Sequence, residues 1–270
     1  MAKRTLSAGI IGLVTCIFLY YSGVPVVLQG AAAALCCFCL YELAKATDTM
    51  KNEALFPLSL LAAALFAFRG IPYGAGVAEA CLAVSIPVFV LMMVFQPKLN
   101  LKNGWAYVLL GVLVCPQLCS MIQVRFLTGG VHLLLICIVE CFATDVAAFL
   151  VGSRWGKRKL LPKVSPHKTV EGSLAGMAAA VCFCLLYGLG LRLFAGMQVH
   201  FGLLLLYALI ANILAQFGDL SMSVVKRITG IKDYGSLIPG HGGLLDRFDS
   251  LIFVLPFTLV FFFLTGGFVA

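Results

Sequence analysis

The densest group of charged side chains in this chain lies between Gln216 and Ser250. Four of its eleven acidic residues occur there together with four cations: Asp219, Asp233, Asp246, Asp249, Lys226, Arg227, Lys232 and Arg247. Carboxylates suit a hard cation such as Mg²⁺, and lysine and arginine neutralise phosphate oxygens. This mixture is typical of Mg²⁺-assisted phosphoryl or nucleotidyl transfer.

One polar stripe leads into this stretch. Its members are spaced by four, three, four and four residues, which is one face of an α-helix: Asn212, Gln216, Asp219, Ser223 and Arg227. Such a face in a membrane turns towards the bundle interior or water. Hydrogen bonding between helices is the alternative use, but the carboxylate of Asp219 followed by Lys226 and Arg227 favours a site.

A glycine-rich loop follows, at residues 238–243. Its glycines, Gly240, Gly242 and Gly243, allow backbone N–H groups to approach a phosphate closely. We expect Leu244 to begin the last helix, which places Asp246 and Asp249 on one face near its N-terminal end. Carboxylates there can simply complement the helix dipole. Because Asp246 and Asp249 are expected to face Asp219, however, we predict that they bind metal.

Two more acids lie inside the sixth apolar segment, where a carboxylate is a functional candidate by default. Glu140 and Asp145 are five residues apart and so point to different faces. Asp145 lies closer to the charged end of the segment. We therefore expect Asp145, rather than Glu140, to join the metal ligands.

The loop at residues 152–171 carries six cations, which could contact anionic headgroups. Ser165 and Thr169 could either cap the next helix or bind phosphate, and Glu171 is equally open to capping or ligand binding. Lys168 is a further candidate for phosphate.

The composition assigns these residues to a membrane protein. The chain of 270 residues is 62% hydrophobic and 11% charged, with a mean hydropathy of +1.06, whereas soluble domains are about 25% charged. We predict an all-α polytopic protein with about nine transmembrane helices. The predicted segments are Leu6–Ser22, Val26–Lys45, Leu55–Ala67, Ala75–Phe95, Trp105–Ile122, Gly129–Val151, Gly172–Phe194, Phe201–Leu220 and Leu251–Phe268.

Lysine and arginine predict the orientation, because they concentrate on the cytoplasmic side. With a cytoplasmic N-terminus, sixteen of the 19 cations fall inside and three outside, and the C-terminus is outside. The net charge of +8 therefore needs no nucleic-acid partner. We treat residues 1–270 as one integral-membrane domain, in which 1–128 are generic apolar segments and 129–270 carry the catalytic segments and loops.

The charged stretch also resembles a known family. The residues that carry the resemblance run from Ser223 to Asp249, and include Lys226, Arg227, Lys232, Asp233, Gly235, Ile238, Pro239, Gly240, His241, Gly242, Gly243, Asp246 and Arg247. A second block comprises Asp145, Ala148, Gly152, Ser165, Pro166, Lys168, Thr169, Glu171 and Gly172. Together they resemble the phosphatidate cytidylyltransferases, or CDP-diacylglycerol synthases. The chain departs from that family at Met222, where a glutamate is common.

The resemblance implies that phosphatidate and CTP give CDP-diacylglycerol and pyrophosphate, with Mg²⁺ as one or two cations. It implies metal binding by Asp219, Asp246, Asp249 and Asp145, and phosphate neutralisation by Lys226, Arg227, Lys232, Arg247 and Lys168. His241 and the loop glycines then shape the pocket, while Ser223, Ser165 and Thr169 contact substrate. The site is expected on the cytoplasmic face of the plasma membrane, in a monomer or homodimer.

Two other functions remain open at this stage. One is a cytidylyltransferase or kinase for another membrane lipid, such as a polyprenol, which the same site could serve. The other is an ion or metabolite transporter using Asp145 and Asp219. Transporters often show paired repeats and midplane sites, whereas these acids gather at one face and no repeat is evident.

Overall fold

Helices dominate the computed structural model, which describes residues 15–68, 75–95, 100–236 and 242–268. Helix α1 covers the described residues 15–21. The other helices are α2 (Pro25–Ala46), α3 (Leu55–Ala67), α4 (Ala75–Phe95), α5 (Gly104–Phe126), α6 (Gly130–Trp155), α7 (Val170–Phe194), α8 (Phe201–Thr229), α9 (Leu245–Phe248) and α10 (Leu251–Thr265).

Each predicted apolar segment coincides with a helix in the part of the chain that the structure describes. Within that part, six helical stretches are long and apolar enough to cross a membrane, and α9 with α10 counts as one of them. Helix α3 and the later part of α4 are shorter apolar helices. The fold is thus that of a helical membrane protein, while nine crossings and the orientation of the termini stay predictions.

Helix α8 continues past the predicted end of the apolar segment at Leu220, as the helical spacing of the polar stripe that reaches Arg227 predicts. The helix continues for nine more residues, to Thr229, and ends at Gly230 with a φ of 75°. Val224, Val225 and Lys226 are buried in this added part. Hydropathy marks where apolar side chains stop, whereas this helix continues because its last turns still pack inside the protein.

A seam of small side chains brings α6 and α7 close together. The buried residues of α7 recur every four positions, at Gly172, Gly176, Ala180, Cys184 and Gly188. A Cβ atom on Gly176 would lie 2.9 Å from the carbonyl oxygen of Thr144 on α6. Such small-residue seams allow membrane helices to approach closely, and this one fixes α6 beside α7.

The centre of the bundle is α10. Its residues 251–256 are all buried, and it packs against α4, α5, α6 and α8. Phe253 contacts the rings of Phe89 on α4 and Phe217 on α8. The helix that follows the glycine-rich loop is therefore held on several sides.

A two-stranded antiparallel hairpin connects α6 to α7, within residues 152–171, which were expected to form a loop. Strand β1 (Lys159–Leu161) pairs with β2 (Ser165–Thr169). The Thr169 side chain accepts a hydrogen bond from the Gly172 N–H at 3.1 Å and so caps α7. Helix capping, one of the two uses considered for Thr169, is therefore what the structure shows.

Candidate active site

A cavity of about 810 Å³ brings most of the predicted acids together. Its charged lining residues are Asp145, Asp219, Lys226, Asp233, Asp246, Arg247 and Asp249. Its apolar lining residues include Leu19 of α1 with Ile138, Phe142 and Phe149 of α6. One cavity thus offers both charged groups and hydrocarbon-like surface.

Asp246 is the anchor of the segment between α8 and α10. One oxygen accepts a hydrogen bond from Lys226 Nζ at 2.6 Å, in an ion pair that is almost wholly buried. The other oxygen accepts from the backbone N–H groups of Tyr234 at 2.9 Å and Gly243 at 3.0 Å. This carboxylate therefore ties the end of α8 to the start of α9.

Asp219 forms a second ion pair, with Lys168 at the end of β2. Both side chains are partly exposed, at 17% for Asp219 and 29% for Lys168. Ser223, one helical turn further along α8, lies with its hydroxyl 3.5 Å from the Asp219 carboxylate. The two blocks of sequence that suggested the site therefore meet in space.

The remaining two acids approach from α6 and from the turn between α9 and α10. Asp249 is buried, and its Oδ1 accepts the N–H of Ser250 at 2.7 Å. Gly218 permits this arrangement, since a Cβ there would lie 2.7 Å from the Asp249 carbonyl oxygen. Asp145 lines the same cavity and lies within the electrostatic reach of Lys168 and Arg247.

Glu42 on α2 supports the site, although sequence reasoning did not select it. Its carboxylate is 3% exposed and accepts the backbone N–H groups of Leu244 at 2.9 Å and Leu245 at 2.7 Å. A Cβ atom on Gly235 or Gly243 would collide with this carboxylate. The rule that intramembrane acids are functional candidates applies to Glu42 as well and could have identified it.

Tyr234 closes the buried side of this segment. Its hydroxyl donates a hydrogen bond to the Met222 carbonyl at 3.0 Å. Burial, followed by the nearby carboxylates of Asp246 and Asp249, raises the pKa of Tyr234 well above its ordinary value. Met222, at the position where glutamate is common in the resembling family, is itself wholly buried.

The pKa of Lys168 shifts in the opposite direction from that of Tyr234. Burial lowers the pKa of Lys168, and the positive charge of Lys226 lowers it further, while the carboxylates of Asp145 and Asp249 oppose the shift. A lysine held between several acids and a second cation is well placed to receive an additional negative charge.

Several predicted site residues lie elsewhere. Arg227 is exposed and donates from Nε to the Val164 carbonyl at 3.0 Å, and Lys232 is exposed and does not line the cavity. Ser165 begins β2 opposite Leu161. The N–H of Gly243 is already bonded to Asp246, and Gly242 adopts a φ of 83° beside the same carboxylate. Gly240 and His241 lie outside the described residues.

The residues of the polar stripe on α8 have two roles, which are hydrogen bonding between helices and lining of the cavity. Asn212 donates to the Thr144 hydroxyl at 2.5 Å, and Gln216 donates to Asn212 at 2.7 Å while also bonding Ser173. These residues join α6, α7 and α8. Asp219, one turn further, faces the cavity instead. The interhelical alternative is therefore right for Asn212 and Gln216.

The donor chemistry fits Mg²⁺ in a shared site with substrate. Five carboxylates line one cavity, those of Asp145, Asp219, Asp233, Asp246 and Asp249, and the first two and last two of these are the predicted metal ligands. Among the residues that the structure describes, no three acidic, histidine or cysteine side chains lie close enough to hold a metal by themselves. Mg²⁺ commonly uses one or two carboxylates and completes its shell with water and substrate phosphates.

Comparisons with known proteins agree with this chemistry. The model of the Cytidylyltransferase family matches residues 2–265. The phosphatidate cytidylyltransferase of Bacillus subtilis (strain 168) is 42% identical over 129 residues, which are 48% of this chain and 46% of the relative. Its counterpart in Staphylococcus aureus (strain COL) is 43% identical over 128 residues, 47% of each chain. The matched region thus spans about half the length of these curated relatives.

Proposed function

The chain belongs to the cytidylyltransferase family, and from that premise we propose that it converts phosphatidate and CTP into CDP-diacylglycerol and pyrophosphate. The observation that carries the proposal is the cavity lined by both charged and apolar residues. Its acids and cations suit a metal–nucleotide complex and a lipid phosphate, and its apolar wall on α1 and α6 suits acyl chains.

The reaction needs little proton transfer. An oxygen of the phosphatidate phosphate attacks the α-phosphorus of CTP, the bond from that phosphorus to the bridging oxygen breaks, and pyrophosphate leaves with the electron pair. Because the lipid phosphate is already anionic at neutral pH, no strong general base is required. The protein must instead bring two polyanions together and neutralise the leaving group.

Cations along the cavity can supply that neutralisation. Lys226 and Arg247 line it, and Lys168 reaches it through Asp219. In the substrate-free protein, Lys226 and Lys168 are held by carboxylates. Phosphate oxygens can replace or share these partners, so the lysines are positioned before substrate arrives.

Mg²⁺ belongs to the proposal, with Asp249, Asp219, Asp145 and Asp246 as its candidate ligands. When bound, the ion would neutralise charge on the phosphate oxygens of the substrates. The protein's own contribution is to converge carboxylates from α6, α8 and the α9–α10 turn on one cavity. The proposal also places the enzyme in the plasma membrane with its site on the cytoplasmic face, and includes a homodimer, which light scattering of the purified protein can test.

Purified protein in detergent, supplied with labelled CTP, Mg²⁺ and phosphatidate, tests the reaction. Labelled CDP-lipid and one equivalent of pyrophosphate are expected, and chelation of Mg²⁺ should stop their formation. A parallel reaction with a polyprenyl phosphate tests the lipid class. A monodisperse, folded preparation that forms no CDP-diacylglycerol, or that uses only the polyprenyl substrate, would contradict the proposal.

A further inference from the structure

Residues 154–169, here called the cationic hairpin, extend from the last turn of α6 through β1 and β2. Five cations of this segment are exposed: Arg154, Lys157, Arg158, Lys159 and Lys163. The segment contains no acidic residue. None of the five cations forms an ion pair with an acid among the described residues. Its outer surface is therefore strongly positive, with Glu171, just outside the segment, as a neighbouring acid.

The backbone of the cationic hairpin is firmly held. Glu171 accepts the N–H groups of Lys157 at 3.1 Å and Arg158 at 3.2 Å, and the N–H of Val170 donates to the Arg158 carbonyl at 2.9 Å. Arg227 fastens the turn through the Val164 carbonyl. The cationic side chains thus project from a fixed platform and need no ordering of the chain before they bind.

The length and the exposed residues of α6 indicate where the cationic hairpin lies relative to the membrane. The helix has 26 residues, or about 39 Å, and therefore exceeds a hydrocarbon core of about 30 Å. Val146, Phe149 and Leu150 form an exposed apolar face, and exposed Trp155 follows them at the end of the helix. Tryptophan is typical of the membrane interface. The cations begin beside Trp155, at the level of lipid headgroups.

We infer that the cationic hairpin binds the headgroups of anionic phospholipids in the surrounding bilayer. The positive-inside tendency accounts for cations on this side of a membrane, but it does not require five of them on one rigid platform beside an interfacial tryptophan. Each cation near an anionic surface adds favourable energy. Because Lys168 of the same hairpin contacts Asp219, lipids gathered here lie next to the cavity. This last consequence rests on the proposed function, whereas headgroup binding does not.

The two tryptophans of the chain provide matched reporters. Trp105 begins α5 and Trp155 ends α6, and the short connection between these antiparallel helices, residues 127–129, places both tryptophans at the same end of the bundle. Trp105→Phe leaves Trp155 alone, and Trp155→Phe leaves Trp105 alone. Each protein is reconstituted in bilayers of phosphatidylcholine and phosphatidylglycerol, and quenching by a brominated form of one lipid or the other gives their relative binding constant.

Quenching of Trp155 should give a binding constant for phosphatidylglycerol that is about threefold or more above that for phosphatidylcholine. Quenching of Trp105 should give a smaller ratio of the two binding constants. In the Trp105→Phe background, K157Q/R158Q/K159Q should remove most of the Trp155 preference. K45Q/K51Q/K102Q, which removes three exposed cations from the last turn of α2 and from two other loops, should retain it. Raising the salt concentration should weaken the preference.

Three results would overturn the inference. They are equal quenching of Trp155 by both lipids, equal losses in the two triple variants, and disappearance of the preference when CTP and Mg²⁺ are added, which would assign the patch to nucleotide. Melting temperatures of the triple variants confirm that each is folded. Since quenching requires no turnover, failure here is distinguishable from failure of the proposed reaction.

Discussion

Glu42 stabilises a segment that lies 202 residues away in sequence, by accepting the N–H groups of Leu244 and Leu245. Glu42→Ala should leave both donors buried without a partner, at a cost of about 1–3 kcal/mol each at most. We expect a lower melting temperature in detergent and reduced cytidylyl transfer.

Glu53→Ala is the matched control, because Glu53 is exposed. It should change neither the melting temperature nor the rate. A Glu42→Ala protein as stable and as active as the parent would show that the two hydrogen bonds do not support the site.

Tyr234 predicts a pH dependence of stability. Its pKa is raised in the folded protein, so the neutral hydroxyl is the form that folding favours. This contribution is complete below the unfolded pKa of about 10 and is lost as the pH rises through the higher folded pKa. Tyr234→Phe, which removes the hydrogen bond to Met222, should therefore lower stability by about 1 kcal/mol at about pH 8. The stability difference from the parent should shrink above about pH 10. Unfolding curves at both pH values measure it, and a constant difference would contradict the argument.

The sequence selected four of the five cavity acids as metal ligands, because carboxylates are rare in this chain and occur near helix ends. It did not identify Glu42 or Tyr234. Glu42 lies alone in an apolar helix, and no spacing relates it to Leu244. The use of Gly243 was also not predictable, since its N–H could equally have faced a phosphate or Asp246.

At the level of elements, the Lys226–Asp246 pair joins α8 to α9. Removing one partner of a buried ion pair typically costs about 3–5 kcal/mol, because an unpaired charge remains. Lys226→Met and Asp246→Leu should each lower the melting temperature strongly and abolish transfer. The double variant Lys226→Met/Asp246→Leu should regain part of the stability, although not all of it, since Tyr234 and Gly243 lose their acceptor.

Transfer activity in the double variant should stay absent, because the proposed reaction uses both charges. The double-mutant cycle separates the two effects. Additive losses of stability would show that the pair is not a structural link, and recovered activity would remove both residues from the site.

Helix α6 carries two acids with different expected roles. Asp145 lines the cavity, whereas Glu140 is fully buried and neither of its carboxylate oxygens has a hydrogen-bond partner among the described residues. Asp145→Asn should lower transfer by at least about tenfold with little change in melting temperature. Glu140→Met should retain activity and raise stability by about 1 kcal/mol, because it removes an unsatisfied buried group. Retained activity in Asp145→Asn together with lost activity in Glu140→Met would instead assign the role in transfer to Glu140.

Helix positions followed from apolar runs, but the last turns of α8 and the β1–β2 hairpin did not. A run of apolar residues reports contact with lipid or core. It does not report that a polar helix end is retained by an ion pair, as at Lys226, or that a basic loop forms strands fixed by Glu171 and Arg227.

On the scale of the whole molecule, the site gathers at one end of the bundle. The last turns of α6 and α8 meet there with the start of α9. Phe268 lies at the opposite end, where its carbonyl accepts the N–H of His200 just before α8. Helix α8, with 29 residues, extends about 44 Å between these two levels.

This separation predicts opposite membrane sides for the site and for the region after α10. With the site on the cytoplasmic face, alkaline phosphatase fused after Ala270 should be active, and a fluorescent protein fused there should remain dark. A biotin-acceptor peptide inserted after Pro162, in the exposed turn of the hairpin, should be biotinylated by a ligase confined to the cytoplasm. The two fusion proteins and the protein with the inserted peptide should all retain cytidylyl transfer, which controls for misinsertion. If active protein shows the hairpin and the Ala270 fusion on the same side, α10 does not cross the membrane and the predicted topology is wrong.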